Sequence, residues 1–259
     1  MTGLAAFTLW RRELTRFLRQ PSRIAGAVGT PLIVWLLVGS GLSGSFRLPG
    51  GPAGLNYFEY FFPGTVVLVL LFAAIFSNIS VIEDRHEGFL QGVLVAPVSR
   101  SAIVAGKVLG GATLAWLQGV VFLPLAPLSG IPLTPRSALA AAGVLAVLAL
   151  SLTALGFAFA WKVDSVQGFH AIMNVVLMPM WLLSGSFFPV SGAPAWLGAL
   201  MRLNPLTYGV AALRWALYGQ GAALGSGLPG PALSLAVTLV LGAAAFAAGL
   251  LATRGGRVE

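Results

Sequence analysis

The stretch Val81–Gly111, VIEDRHEGFLQGVLVAPVSRSAIVAGKVLGG, decides how this chain folds. Residues 83–87 read Glu-Asp-Arg-His-Glu, so five consecutive side chains carry or can carry a charge. At the centre of a bilayer each charge costs about 2.5–3.5 kcal/mol. The apolar piece that follows, residues 88–96, is too short to cross a membrane. The pattern predicts a short amphipathic segment at the membrane surface, between two spans, where a partner outside the membrane docks.

The composition around this stretch is that of a membrane protein. Of its 259 residues 58% are hydrophobic and 8% are charged, whereas a soluble domain has about 25% charged residues. The chain has no cysteine, which excludes disulfides and thiolate metal sites. The net charge of +8 comes from basic residues scattered at the ends of apolar segments. No basic run alternates with aromatic residues, so the charge indicates membrane orientation rather than binding of nucleic acid.

Apolar segments of about 20 residues predict six membrane spans and an all-α integral membrane fold. The predicted spans are Ile24–Leu42, Phe61–Ile82, Ala102–Pro124, Ser137–Trp161, Gly168–Phe188 and Pro231–Thr253. They predict a six-span unit over residues 23–254, preceded by an amphipathic segment over 1–22 and followed by a short tail over 255–259.

The basic residues predict that both termini face the cytoplasm. Eleven of the 15 Lys and Arg residues fall on one predicted side. The other side keeps Arg47, Arg136, Arg202 and Arg214. Lys107 lies inside the third span, and we expect its long side chain to extend back to the surface.

Residues 2–20 predict a helix that lies on the membrane surface. Six apolar side chains share one helical face, namely Leu4, Phe7, Trp10, Leu14, Phe17 and Leu18. Arg12, Arg16 and Arg19 lie opposite, and Pro21 ends the helix. The alternative, a positively charged flank of the first span, explains the arginines but not the phased aromatic residues. We expect no cleavable signal peptide, because no small-residue cleavage site is evident.

The segment between the fifth and sixth spans, residues 189–230, is too long for a turn. It contains two apolar pieces, 195–200 and 206–218, and each is shorter than a span. Proline and glycine separate them, which is typical of re-entrant or interfacial helices packed against a bundle.

In the third span, Gly106-x-x-x-Gly110 allows another helix to approach closely.

The sequence contains no complete motif for ATP binding or serine catalysis. A phosphate-binding loop needs Gly-Lys-Ser/Thr, but Gly106-Lys107 is followed by Val108, so any ATP-driven role requires a partner's ATPase. Gly41-Leu42-Ser43-Gly44 resembles an intramembrane serine protease motif, yet both histidines are predicted at the opposite membrane side, which favours a flexible connector. A membrane-embedded enzyme that processes lipid or peptide is the alternative function.

The charged cluster at 83–87 matches no zinc pattern, and a solvated or partner-facing cluster is the simpler interpretation. The predicted spans contain no Asp, Glu or Arg, which argues against an ion-coupled carrier. An apolar path suits an apolar or amphiphilic cargo. The candidate substrate-path residues are Asn78, Asn174, Met178, Phe187 and Phe188.

Several motifs together resemble the permease subunits of bacterial type-2 ABC exporters. Phe62-Pro63-Gly64 precedes Glu83-Asp84-Arg85-x-x-Gly88 and Leu94-Val95-Ala96-Pro97. Later, Leu183-Ser184-Gly185-x-x-Phe188-Pro189 precedes Leu203-Asn204-Pro205. The order and spacing of these motifs are similar to the daunorubicin-resistance and nodulation-factor export branch, over nearly the whole chain.

This resemblance implies a six-helix half-transporter that is not itself an enzyme. It implies an interfacial amino-terminal helix, a cytoplasmic coupling helix between spans two and three, and re-entrant helices between spans five and six. The implied ATPase-coupling residues are Glu83, Asp84, Arg85, His86, Glu87, Gly88, Phe89 and Leu90. The implied assembly contains two permease copies, expected to be identical, in the bacterial inner membrane. Two ATPase subunits bind ATP and magnesium, and the complex exports a drug, lipid or glycolipid.

Overall fold

The computed structural model describes residues 2–44, 55–219, 227 and 229–255, of which residues 2, 254 and 255 are described by their backbone only. Arg47 and the tail after residue 255 lie outside the described residues. The helices are α1 (Thr2–Leu18), α2 (Pro21–Val34), α3 (Ser40–Leu42), α4 (Tyr57–His86), α5 (Phe89–Val95), α6 (Arg100–Phe122), α7 (Pro135–Ala160), α8 (Val166–Trp181), α9 (Ala195–Leu203), α10 (Pro205–Tyr218) and α11 (Pro231–Gly255). Wider π-helical turns at Trp35–Gly39 and Leu182–Ser186 extend α2 and α8, and short 3₁₀ turns lie at Leu123–Ser129 and Val190–Gly192.

Among the described residues, six segments are long and apolar enough to cross a membrane. They are Pro21–Leu42, Tyr57–His86, Arg100–Ser129, Pro135–Ala160, Val166–Ser186 and Pro231–Thr253. The predicted integral membrane fold with six spans is therefore confirmed. The second span differs most from its predicted bounds, because the helix continues through the charged residues up to His86.

The helix ends follow local chemistry. The side-chain oxygens of Asn56, Ser99 and Ser165 each accept a hydrogen bond from a backbone N–H in the first turn of α4, α6 and α8. Thr134 and Ser137 form a reciprocal capping box at the start of α7. Pro135 also occupies the first position of α7, where its missing N–H leaves no hydrogen bond unmade.

Helix α4 is the centre of the bundle. It packs against α2, α6, α7, α8 and α10, and 89% of its most apolar window is buried within the chain. At 30 residues it is about 45 Å long, so its two ends lie at opposite ends of the molecule. Helices α1 and α5 lie at its carboxyl end, and the α9–α10 hairpin lies near its amino end.

Two other features set the geometry of the site. Helix α1 packs along α6, where Gly106 faces Leu9 and Gly110 faces Glu13 with no room for a Cβ. The predicted close approach at this glycine pair is therefore made by α1 rather than by another span. The spans at Pro21–Leu42, Val166–Ser186 and Pro231–Thr253 bury only 22%, 22% and 17% of their apolar windows within this chain.

Candidate functional site

A buried cluster of ion pairs joins α1 to the carboxyl end of α4. Asp84 is fully buried, and both of its oxygens accept hydrogen bonds from the Arg12 guanidinium, at 2.7 and 2.8 Å. Arg16 Nη1 donates to Asp84 Oδ1 at 2.6 Å. Arginine matches a carboxylate in this two-pronged geometry, which is among the stronger hydrogen-bonding arrangements in proteins. The bond to Asp84 raises the pKa of Arg12 above its usual value, so the pair stays charged.

The same cluster reaches α6 through Lys107. The Lys107 ammonium is buried; it lies 2.7 Å from Glu13 Oε1 and also pairs with Asp84. Ser80 Oγ donates to the other Glu13 oxygen at 2.6 Å. Two carboxylates and one ammonium thus meet between α1, α4 and α6. We call this cluster, with Arg12 and Arg16, the clamp.

At its outer edge the clamp is more exposed. Glu83 pairs with Arg16 at 2.9 Å and with Arg23 at the start of α2. Glu87 Oε1 lies 3.2 Å from Arg16, and its side chain is 58% exposed. Exposed ion pairs contribute little, about 0–1 kcal/mol. The buried members therefore account for most of the clamp's hold on α1.

These positions correct two expectations. Residues 83–87 are only partly solvated: His86 and Glu87 are exposed, but α4 continues through Asp84 and α1 covers Asp84 with two arginines. Lys107 does not extend to the surface, because two buried carboxylates lie within its reach. Asp84 is thus inaccessible to a docking partner, and a role for it in coupling must be indirect.

Helix α5 includes the last two of the residues for which the resemblance implies a coupling role. Gly88 begins it with φ +74°, a backbone conformation that glycine adopts without strain, and this turns the chain away from α4. Leu90 is only 3% exposed and packs against Leu9 and Ile103, so it is not available to a docking partner. Phe89 is half-buried, and the guanidinium carbon of Arg12 lies over its ring, 3.7 Å from the ring centroid. These contacts fix α5 to α1 and α6.

The exposed side of this segment is small and mixed. Val95 is 87% exposed, and Glu87, Gln91 and Pro97 are exposed beside it. We call these four residues the docking face. Of these four, only Glu87 was among the residues that the family resemblance implied. Phe89 and Leu90, which the resemblance also implied, hold the helix against α1 and α6 instead.

Arg85 and His86 point to the connection between α7 and α8. Arg85 Nη1 donates to Asp164 Oδ1 at 3.1 Å and to Val163 O at 3.2 Å. His86 Nε2 lies 2.7 Å from Asp164 O. These two residues therefore tie α4 to a second connection at the same end of the molecule.

The candidate substrate-path residues do not form one group. Asn78 is buried and donates to Thr153 O at 3.1 Å, so it joins α4 to α7 and does not line a path. Phe187 packs on the rings of Phe61 and Trp181 near the amino end of α4. Asn174 is exposed, with half-buried Met178 one turn later, on the side of α8 that this chain leaves uncovered; Phe188 is half-buried beyond the end of that helix.

Near the amino end of α4, α10 packs against the irregular turn that follows α8. Gly185 has φ +78° within the π-helical turn, and its carbonyl accepts from Tyr60 Oη at 2.7 Å and from Arg214 Nη2 at 2.9 Å. Asn204 donates to Met180 O at 2.6 Å. The α9–α10 hairpin thus supplies donors to carbonyls that the irregular turn leaves free.

Sequence reasoning missed Glu13 and Arg214 as buried charges. A signal for Glu13 exists, because positions 9, 13 and 17 share one stripe of α1, and Leu9 and Phe17 on that stripe are buried. An acid between two core positions indicates a buried partner. Arg214 carries no comparable signal, since its acceptors are backbone carbonyls.

Comparison with known proteins shows that this chain is similar to transport permeases. Residues 5–218 match the family described as ABC-2 type transporter. The putative transport permease ycf38 of Cyanophora paradoxa is 28% identical over 213 residues, which cover 81% of this chain and 72% of that protein. The inner membrane transport permease YadH of Escherichia coli strain K12 is 26% identical over 224 residues, 83% of this chain and 84% of YadH.

A third relative is the daunorubicin resistance ABC transporter permease protein DrrB1 of Streptomyces coeruleorubidus. It is 25% identical over 218 residues, which cover 82% of this chain and 74% of DrrB1. The family match spans the bundle from α1 to α10, including the clamp, α5 and the α9–α10 hairpin. The chain therefore belongs to the ABC-2 type transporter family, as a membrane-spanning permease.

Proposed function

We infer that this chain is the membrane half of an ATP-driven exporter, driven by a separate ATPase subunit that docks on α5. The observation that carries this proposal is the mounting of α5. Leu90 of this short helix packs against Leu9 and Ile103, and the Arg12 guanidinium lies over the ring of Phe89. The docking face is exposed. A rigidly mounted helix with an exposed face can transmit force from a partner.

The clamp supplies the route for that force into the membrane. Arg12 contacts both Phe89 of α5 and Asp84 of α4, so a displacement of α5 acts directly on the central helix. Lys107 carries the same displacement to α6. Asp84 and Lys107 are positioning residues in this proposal, and Glu87, Gln91, Val95 and Pro97 contact the ATPase.

The proposed assembly has two permease copies and two ATPase subunits, which bind ATP and magnesium. The lightly buried spans at Pro21–Leu42 and Val166–Ser186 leave faces for a second copy of this chain. The end that carries α1 and α5 faces the cytoplasm of a bacterial inner membrane, since most basic residues lie there.

The proposed cargo is lipophilic or amphiphilic, a drug, lipid or glycolipid. The uncovered face of α8 has two exposed amides, Gln167 and Asn174, and further along it apolar side chains including Met178. A mostly apolar surface with a few uncharged polar groups favours such a molecule over an ion. DrrB1 is named for daunorubicin resistance, which is in keeping with this class.

The test is coexpression with a soluble ATPase that has a phosphate-binding loop. The two should copurify, and the purified permease alone should hydrolyse no ATP, because it lacks that loop. A permease that hydrolyses ATP after the ATPase has been removed would contradict the proposal. So would failure of the permease to copurify with any soluble ATPase from the cells that produce it.

A further inference from the structure

Helix α1 carries a basic groove on the side that faces away from the bundle. Its volume is about 620 Å³, and its lining includes Arg11, Arg12, Arg16 and Arg19. Thr8 and Thr15 also line it, and both hydroxyls donate to their own helix backbone, at 2.8 and 2.9 Å. The short threonines leave the space between the arginines open.

The arginines of the groove divide into two pairs. Arg12 and Arg16 are shared with the clamp carboxylates. Within the described part of the chain, Arg11 and Arg19 form no ion pair, and both are exposed. The groove therefore has a surplus of positive charge, which an anion from outside the chain can neutralise.

The position of the groove on α1 indicates where that anion comes from. Exposed apolar side chains, Leu4, Phe7 and Leu18, form a stripe along the same helix. With 100° between residues, Arg11 projects between Leu4 and Leu18, so the groove borders the apolar stripe directly. A helix with such a stripe lies with its apolar side among acyl chains and its basic side at the headgroups.

We propose that the groove binds the phosphate of an anionic phospholipid from the leaflet on which α1 lies. A guanidinium offers paired N–H donors that match phosphate oxygens, and basic residues beside an amphipathic helix attract anionic lipid. Because Arg12 and Arg16 belong to both the groove and the clamp, a bound lipid also holds α1 against α4. The site is independent of what the permease exports.

The test is native mass spectrometry of the full chain in detergent with equimolar dioleoyl phosphatidylglycerol and dioleoyl phosphatidylcholine. The parent should retain phosphatidylglycerol preferentially. The double variant Arg11→Gln with Arg19→Gln should bind it about tenfold more weakly, since two phosphate contacts are lost. Neither residue has a protein partner in the ion pairs of the described chain, so this variant should fold. The matched control, Arg136→Gln with Arg202→Gln, removes two exposed arginines at the other end and should bind like the parent.

Three outcomes would overturn the proposal. Equal retention of the two lipids by the parent would show that the groove does not select an anion. Displacement of phosphatidylglycerol by millimolar inorganic phosphate would indicate a site for the free ion. If the Arg11/Arg19 variant keeps its phosphatidylglycerol but loses the ATPase in copurification, the groove is a protein-docking surface.

Discussion

Lys107 lies within an apolar helix and keeps its charge because two carboxylates are buried with it. Its ammonium contacts Glu13, 94 residues earlier in the chain, and Asp84. Removing one member of a buried ion pair typically costs about 3–5 kcal/mol, because the partner is left buried and unpaired. Each charge of the clamp is therefore stabilising only while the others are present.

At the residue scale we predict that Lys107→Met lowers the thermal unfolding midpoint of the detergent-solubilised protein markedly. The expected cost is up to about 3–5 kcal/mol, since Glu13 loses its ammonium partner and keeps only the longer ion pair to Arg12, at 3.3 Å. The double variant Lys107→Met with Glu13→Met should recover a large part of the loss, because no charge is then left unpaired. Arg136→Gln, which removes an exposed charge at the far end of the molecule, is the control and should leave the midpoint unchanged. Equal losses in the single and double variants would contradict the clamp.

The sequence located the charges of residues 83–87, but it could not locate their partners. The charges stand out because they interrupt long apolar runs. Which of several arginines pairs with Asp84 depends on how α1 packs along α6. The pairs that result join distant residues: Arg16 and Asp84 are 68 positions apart, and Glu13 and Lys107 are 94 positions apart. Local patterns carry no information about such distant pairs.

At the element scale, the α9–α10 hairpin and the π-helical turn of α8 depend on close contact with α4. Trp181 Nε1 donates to Gly64 O at 2.8 Å, and Gly64 lies directly against Ser186. Pro179 and Gly185 both interrupt regular helix geometry in the fifth span, and the irregular turn lies at Leu182–Ser186. The sequence could not show that Arg214 and Asn204 would satisfy its carbonyls.

We predict that Gly64→Ala destabilises the protein by about 1–3 kcal/mol, a typical overpacking cost. A Cβ at this position would lie 2.5 Å from the Ser186 Cβ and 2.9 Å from its Cα, so the turn must move away from α4. Gly143→Ala in α7 is the matched control, since nothing lies within 4 Å of its added Cβ. The control should be neutral or stabilising by up to about 1 kcal/mol. The measurement is the thermal unfolding midpoint of the two variants. Equal midpoints would contradict the close contact between Gly64 and Ser186.

At the scale of the whole molecule, the two ends of α4 differ in composition and should lie on opposite sides of the membrane. One end carries the clamp and the docking face, and the other carries the aromatic contacts of Tyr57, Phe61 and Phe187. Composition and hydropathy predicted the number and approximate bounds of the spans because that information is local. The packing of α1 onto α6 is not local, and it determines where the site lies.

Because the chain lacks cysteine, single cysteines can report its orientation. In intact cells, Ser191→Cys near the α9–α10 end should react with a membrane-impermeant thiol reagent. Gln91→Cys on α5 should react only after the cells are opened. Both positions are exposed in the structure. The reverse labelling pattern would place the docking face on the wrong side for a cytoplasmic ATPase.

The central claim is that an ATPase drives this permease through the docking face of α5. The most direct measurement is substrate-stimulated ATP hydrolysis by the permease–ATPase complex in proteoliposomes. Glu87→Arg and Val95→Asp should each abolish the stimulation and weaken ATPase binding, because exposed contact residues change sign or polarity while the fold is kept. The control Arg136→Glu reverses an exposed charge at the far end and should hydrolyse ATP at the parent rate. Full stimulation in both docking-face variants would contradict the claim.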